Sequence, residues 1–197
     1  MRGFKIEIDG FDEAIRHLGE FQKELPSCIS RALNRSLEMT KTEMLRKTME
    51  KYTIRRNKLD NTVNLFKSNR YNLSGCISSK GRRIGLNHFK LTPQKHLYRK
   101  SVKVAVRKGP LRSITSEKAF IAFKDGFLGA FVRTGKIGIT KSRRTGKKRK
   151  QSTIRRLRSL SAPQMLGELS ILEYLQGYAD DKFRIRLEHE IDRVIGI

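Results

Sequence analysis

The stretch Pro26–Lys51, PSCISRALNRSLEMTKTEMLRKTMEK, decides the fold. Ile29, Ala32, Leu33, Ser36, Leu37, Thr40 and Met44 recur at spacings of three and four. That spacing puts small and apolar side chains on one stripe of a helix. Arg31, Arg35, Glu38, Lys41, Arg46 and Lys47 fall mostly off the stripe. Pro26 suits a first turn, where its missing N–H costs nothing, and no Gly or Pro interrupts the interior. At about 1.5 Å per residue the helix runs roughly 35–40 Å. Its apolar stripe needs a cover, which the rest of the chain must supply.

Upstream, Phe4, Ile6 and Ile8 alternate with Lys5 and Glu7, a half-buried strand pattern, and Phe11, Ala14, Ile15, Leu18, Phe21 and Leu25 trace a first helix. Downstream, a short helical piece is expected around Asn57–Leu65 and a strand around Leu73, Cys76 and Ile77. His88 to Leu97 reads as loop. Val102, Val104 and Val106 alternate with Lys103, Ala105 and Arg107 and predict a strand. Ala119–Phe123 and Ala130–Arg133 predict a hairpin closed by the Gly-containing turn between them. The C-terminus predicts helices over Pro163–Leu175 and Ala179–Ile195, parted near Gly177. The fold class is α+β: a strand and two helices packed on a mostly antiparallel sheet of four or five strands, a basic extended loop, then C-terminal helices. The sheet is the expected cover for the long helix.

The net charge of +25 is confined to one region. Residues 1–60 carry 13 Lys and Arg against 10 acids, and residues 168–197 carry 4 against 7. Residues 61–167 carry 27 against two, Glu117 and Asp125. Within it, Lys141–Arg158 holds ten basic residues of eighteen and no acid. Charge this dense without an apolar stripe predicts a mobile arm or loop. The candidate contacts to DNA or to an acidic protein neighbour are Arg82, Arg83, Lys141, Arg143, Arg144, Lys147, Lys148, Arg149, Lys150, Arg155, Arg156 and Arg158. Composition therefore delimits a core over 1–140, a basic arm over 141–160 and a helical segment over 161–197.

Catalytic and metal signatures are missing. His17, His88, His96 and His189 stand in no HExxH or zinc pattern, and no GxxxxGK[ST] or GxSxG occurs. Two carboxylates in the basic region are too few for a metal-dependent nuclease. An enzyme is not expected, nor a cofactor, metal or small-molecule substrate. Cys28 and Cys76 make no disulfide framework. No apolar run reaches signal-peptide or membrane-span length, so a soluble chain made in a reducing cytoplasm is expected. The charge alone also fits a stand-alone, sequence-nonspecific nucleic-acid-binding protein.

Several segments together resemble the phage minor tail protein Z family, the tail completion proteins of lambda-like phages. They are the opening strand and helices with Arg31-Ala32-Leu33-Asn34-Arg35, then Tyr52 and Ile54. Next comes the A-F-x-A…G-x-x-G-x-F-x-R pattern at Ala119, Phe120, Ala122, Gly126, Gly129, Phe131 and Arg133. The last is Ser161-Ala162-Pro163-Gln164-Met165. Ile137 to Ser152 is longer and more basic than the family pattern. The resemblance implies a structural virion protein that completes the head-proximal end of a tail and enables head–tail joining. Implied partners are further copies of the chain in a ring, commonly of six, the tail terminator, and tail-tube or head–tail connector proteins. Double-stranded DNA would occupy the channel. The implied location is the virion, with assembly in the host cytoplasm.

Overall fold

The computed structural model describes residues 24–93, 101–114, 119–124, 126–142 and 144–195. The expected strand over Phe4–Ile8 and the first helix up to Phe21 lie outside the described residues, as do His17, His96, Glu117, Asp125 and Arg143. The fold is α+β, and among the described residues the antiparallel strands form four small sheets rather than one sheet of four or five. The chain forms two compact units. Of the described residues, one contains those up to Glu50, Arg56–Arg82 and those from Ser161; the other contains those in Lys51–Arg55 and Arg83–Leu160.

The first unit is built on the long helix α1 (Leu25–Lys51). Its stripe is buried as its spacing dictates: Ala32, Ser36, Thr40, Met44 and Thr48 are wholly inaccessible. The cover, however, includes another helix, the C-terminal α4 (Leu169–Ile195), running antiparallel. Three contacts fix the pairing. Arg31 Nε lies 2.5 Å from Glu190, Ser36 Oγ donates to the Ala179 carbonyl at 3.0 Å, and Tyr174 Oη donates to Glu43 at 2.9 Å. Ile29, Ala32, Leu33 and Phe183 form the apolar cluster between the helices, flanked by Leu73 and Leu187. Small residues at the crossing let the backbones approach closely. The expectation of a sheet as the cover is corrected accordingly, because Phe183 and Ala179 supply an apolar face to α1.

The second helix, α2 (Arg56–Asp60), is held to α1 by Lys41–Asp60 at 2.7 Å. It ends short of Leu65, since Val63–Phe66 is strand β1, paired with β2 (Cys76–Ser79) from Val63↔Ser79 to Phe66↔Cys76. The β1–β2 connection is pinned to α1 by Asn34. Its side-chain amide donates to Ser68 O at 3.0 Å and accepts from Ser68 N at 2.8 Å, reproducing a strand-like pair of bonds. Gly75 must lack a Cβ, which would sit 2.5 Å from Leu37 Cδ1. Cys28 and Cys76 are free thiols.

Helix α3 (Ala162–Leu166) begins at a capped start: Gln164 Oε1 accepts from the Ser161 N–H at 3.0 Å and from its hydroxyl at 3.1 Å. Pro163 occupies the first turn, and Ala162, Met165 and Leu166 are wholly buried. The break that follows is at Gly167, and α4 then runs unbroken through Gly177. A helical Gly costs only about 1 kcal/mol, which burial of Leu175 and Ala179 on either side outweighs.

In the second unit, β3 (Arg83–Gly85) pairs with β10 (Arg158–Ser161), and a 3-10 turn at Leu86–His88 follows β3. Strands β4 (Lys90–Thr92), β5 (Lys103–Ala105) and β6 (Arg112–Ser113) form one antiparallel sheet. Residues Lys51–Thr53 lie alongside, through Lys108 N to Lys51 O at 2.7 Å and Thr53 N to Val106 O at 3.0 Å. Strands β7 (Ala119–Lys124), β8 (Phe127–Lys141) and β9 (Lys148–Arg156) form the other three-stranded sheet. Leu86, Leu91, Val102, Ile121 and Ala130 make the core of this unit.

Two outcomes test the packing of α1. Leu33→Asp puts an unpaired charge into the α1–α4 cluster and is expected to abolish cooperative unfolding, read by thermal circular dichroism. The second concerns pH. The Arg46 guanidinium hydrogen-bonded to Glu43 holds that carboxyl below its ordinary value of 4.5 against the opposing effect of burial, and the Tyr174 hydroxyl adds to the lowering. Glu43 therefore contributes stability above pH 4.5 that is lost as pH falls through its lowered folded value. Glu43→Gln is expected to flatten the acid limb of stability against pH, measured by urea unfolding between pH 3 and 6.

Candidate functional site

The basic segment folds as a β-ribbon and corrects the expected arm. Strand β7 pairs with the first half of β8, from Lys124↔Phe127 to Ala119↔Val132. Beyond Val132, β8 has only β9 beside it among the described residues. The ladder continues from Arg133↔Ile154, shifts register before Ile137↔Ser152, and ends at Lys141↔Lys148. Gly135, at φ +78°, lies within this irregularity. At the tip, Ser142 N donates to Lys147 O at 3.0 Å and Gly146 N to Ser142 O at 2.9 Å, with Gly146 at φ +68°. A turn that needs a left-handed residue finds a glycine there. Backbone pairing holds the segment, while water and salt weaken the repulsion among its cations.

Paired residues in a sheet share a face, and so do alternate residues of a strand. One face of the distal ribbon therefore carries Ile137, Ile139, Lys141, Lys148 and Lys150. Ile137 and Ile139 are 73% and 71% exposed, and the three lysines are exposed as well. The opposite face carries Gly138, Gln151 and Thr153, with Thr134 Oγ1 donating to the Thr153 carbonyl at 3.1 Å.

Of the sequence-predicted contacts, the ribbon brings together Lys141, Arg144, Lys147, Lys148, Arg149 and Lys150, all on its strands or tip. Arg143 falls outside the described residues. Arg155 is exposed at the base of β9, Arg83 and Arg158 are exposed on the paired strands β3 and β10, and Arg82 belongs to the first unit. Arg156 points inward. Its guanidinium lies 4.0 Å from the centre of the Phe127 ring, its Nη2 donates to Asn87 Oδ1 at 2.6 Å, and a Cβ on Gly85 would overlap it. Burial first, and then the charge of Arg158, lower its pKa from the ordinary guanidinium value. Arg156 is therefore a packing residue. Sequence reasoning could not separate it from Arg155, because only the strand register decides which of two adjacent arginines faces in.

Among the described residues no group of three or more His, Cys, Asp or Glu could hold a metal ion, and no helix is long and apolar enough to cross a membrane. What the ribbon offers is a narrow, cationic, partly apolar projection suited to contact with another macromolecule. The chain matches the family model of the prophage minor tail protein Z (GPZ) over residues 8–194 of 197 and belongs to that family. The family is one of structural phage tail proteins, which places the chain in the virion. No curated protein and no solved structure matches the chain.

The inward and outward arginines differ in their expected effect. Arg156→Ala should lower stability by about 1–3 kcal/mol through loss of the ring contact and the Asn87 hydrogen bond. Arg155→Ala should change it by less than about 0.5 kcal/mol. Denaturant midpoints of the two variants check this.

Proposed function

We propose that the chain completes the head-proximal end of a phage tail and enables the tail to join a filled head, working as a ring around the DNA channel. Family membership supports the tail role. The observation that carries the rest is the ribbon. It projects beyond β7, bears no acid, and exposes two isoleucines among its lysines. Such an element is built to engage a neighbour, not to complete its own core.

Physics favours a protein neighbour as the main contact of this ribbon. Double-stranded DNA carries about one negative charge per 1.7 Å of axis. A ring lining its channel with several such ribbons would hold DNA that has to pass. Exposed isoleucines gain little from phosphates, whereas an apolar contact edged by carboxylates satisfies both residue types. DNA then occupies the channel without being the ribbon's principal partner.

The reading is tested by assembly without this chain. Lysates of phage lacking it, viewed by electron microscopy, should contain DNA-filled heads and full-length tails that remain unjoined. Supplying the purified protein should restore joined, infective particles. Joined, infective particles at normal yield in its absence would contradict the proposal.

A further inference from the structure

The chain carries, on a different element, a surface that matches the ribbon. On α4, Asp181, Ile185, Glu188 and Asp192 recur at three and four residues and share one face. This face is turned away from Phe183, which is buried against α1. Ile185 is 45% exposed, and the three carboxylates are exposed. Asp181 meets Arg184 at 3.6 Å on the helix surface. Glu188 and Asp192 have no partner among the described residues. The patch is thus an isoleucine with Asp181 and Glu188 one turn to either side and Asp192 one turn beyond, beside Arg186 and Arg193.

We propose that the ribbon of one copy docks on this outward face of α4 in a second copy. The inference rests on the ring reading and assigns its subunit contact. Lys141, Lys148 and Lys150, on two adjacent rungs at the ribbon tip, meet Glu188 and Asp192, while Ile139 packs against Ile185. The dimensions agree. Residues 137–141 extend about 13 Å at roughly 3.3 Å per residue, and residues 181–192 span about 16 Å at roughly 1.5 Å per residue. The signs agree too. The three lysines share a face without any acid, and the helix patch is the complementary acidic surface in a chain of net charge +25.

A second copy is the occupant because one chain bears both halves on different elements. Such a contact is heterologous: each copy offers a ribbon to one neighbour and a helix to the other. Repeated through a fixed rotation, it builds a ring. It also accounts for the exposed isoleucines on both elements, which a phosphate backbone would leave in water.

Two charge-reversed proteins test it. The first carries Lys141→Glu, Lys148→Glu and Lys150→Glu; the second carries Asp181→Lys, Glu188→Lys and Asp192→Lys. In each alone, like charges meet at every contact, whereas mixing them restores opposite charges in an alternating order. Sedimentation velocity should show the wild type as an oligomer, each variant weakened in self-association by at least about a hundredfold, and the equimolar mixture again an oligomer. Unchanged helical circular dichroism confirms that both variants fold. Variants that assemble like the wild type, or a mixture that stays dissociated, would overturn this interface and leave the ring reading standing. A wild type that remains monomeric at every concentration would overturn both.

Discussion

Burial of the small-residue stripe of α1 against α4 is the interaction on which the first unit depends. Ser36 and Ala179 keep the helices close enough for the serine hydroxyl to reach a backbone carbonyl. Phe183 fills the space beside Ala32 and Leu33. Asn34, next to that stripe, ties down the β1–β2 connection through both edges of its amide. The Arg31–Arg35 segment, part of the family resemblance, is thus structural. It places Ala32 and Leu33 in the core, Asn34 on the hairpin and Arg31 on Glu190.

The second unit is shaped by the opposite constraint. Most of the twenty-seven cations between residues 61 and 167 belong to this unit, and that stretch holds only two acids to pair with them. The sequence concentrates ten of them in Lys141–Arg158, and the β8–β9 ladder with its tip carries Lys141, Arg144, Lys147, Lys148, Arg149 and Lys150. The bonds of a ladder join backbone groups whatever the side chains are, and its outer edges face water, so it tolerates like charges that no packed core would. Among the described residues of this stretch only Arg156 is taken inside, where the Phe127 ring and Asn87 receive it in place of a carboxylate.

Much of this was legible in the sequence, for physical reasons that also explain what was not. The bounds of α1 and the hairpin at Ala119–Arg133 follow from local periodicity, and the helix expected from Pro163 begins at Ala162, capped by Ser161. The cover of α1 did not follow, because the Ser36–Ala179 contact joins residues 143 apart and either a sheet or a helix could have met the same stripe. The ribbon was hidden by its charge. Ile137 and Ile139 alternate as a strand requires, but neighbouring Lys and Arg swamp a pattern that depends on burial. The break in the C-terminal helices was assigned to Gly177, when Gly167, beyond the short capped α3, is where the helix ends.

The central claim is that the basic ribbon is an assembly contact between copies of the chain, not a DNA clamp. Electron cryomicroscopy of the head–tail joint tests it most directly. The account predicts a closed ring in which the ribbon tip of each copy lies on the Asp181–Asp192 face of the next, with the channel DNA clear of it. Ribbons that instead project onto the DNA, leaving that helix face bare, would contradict it.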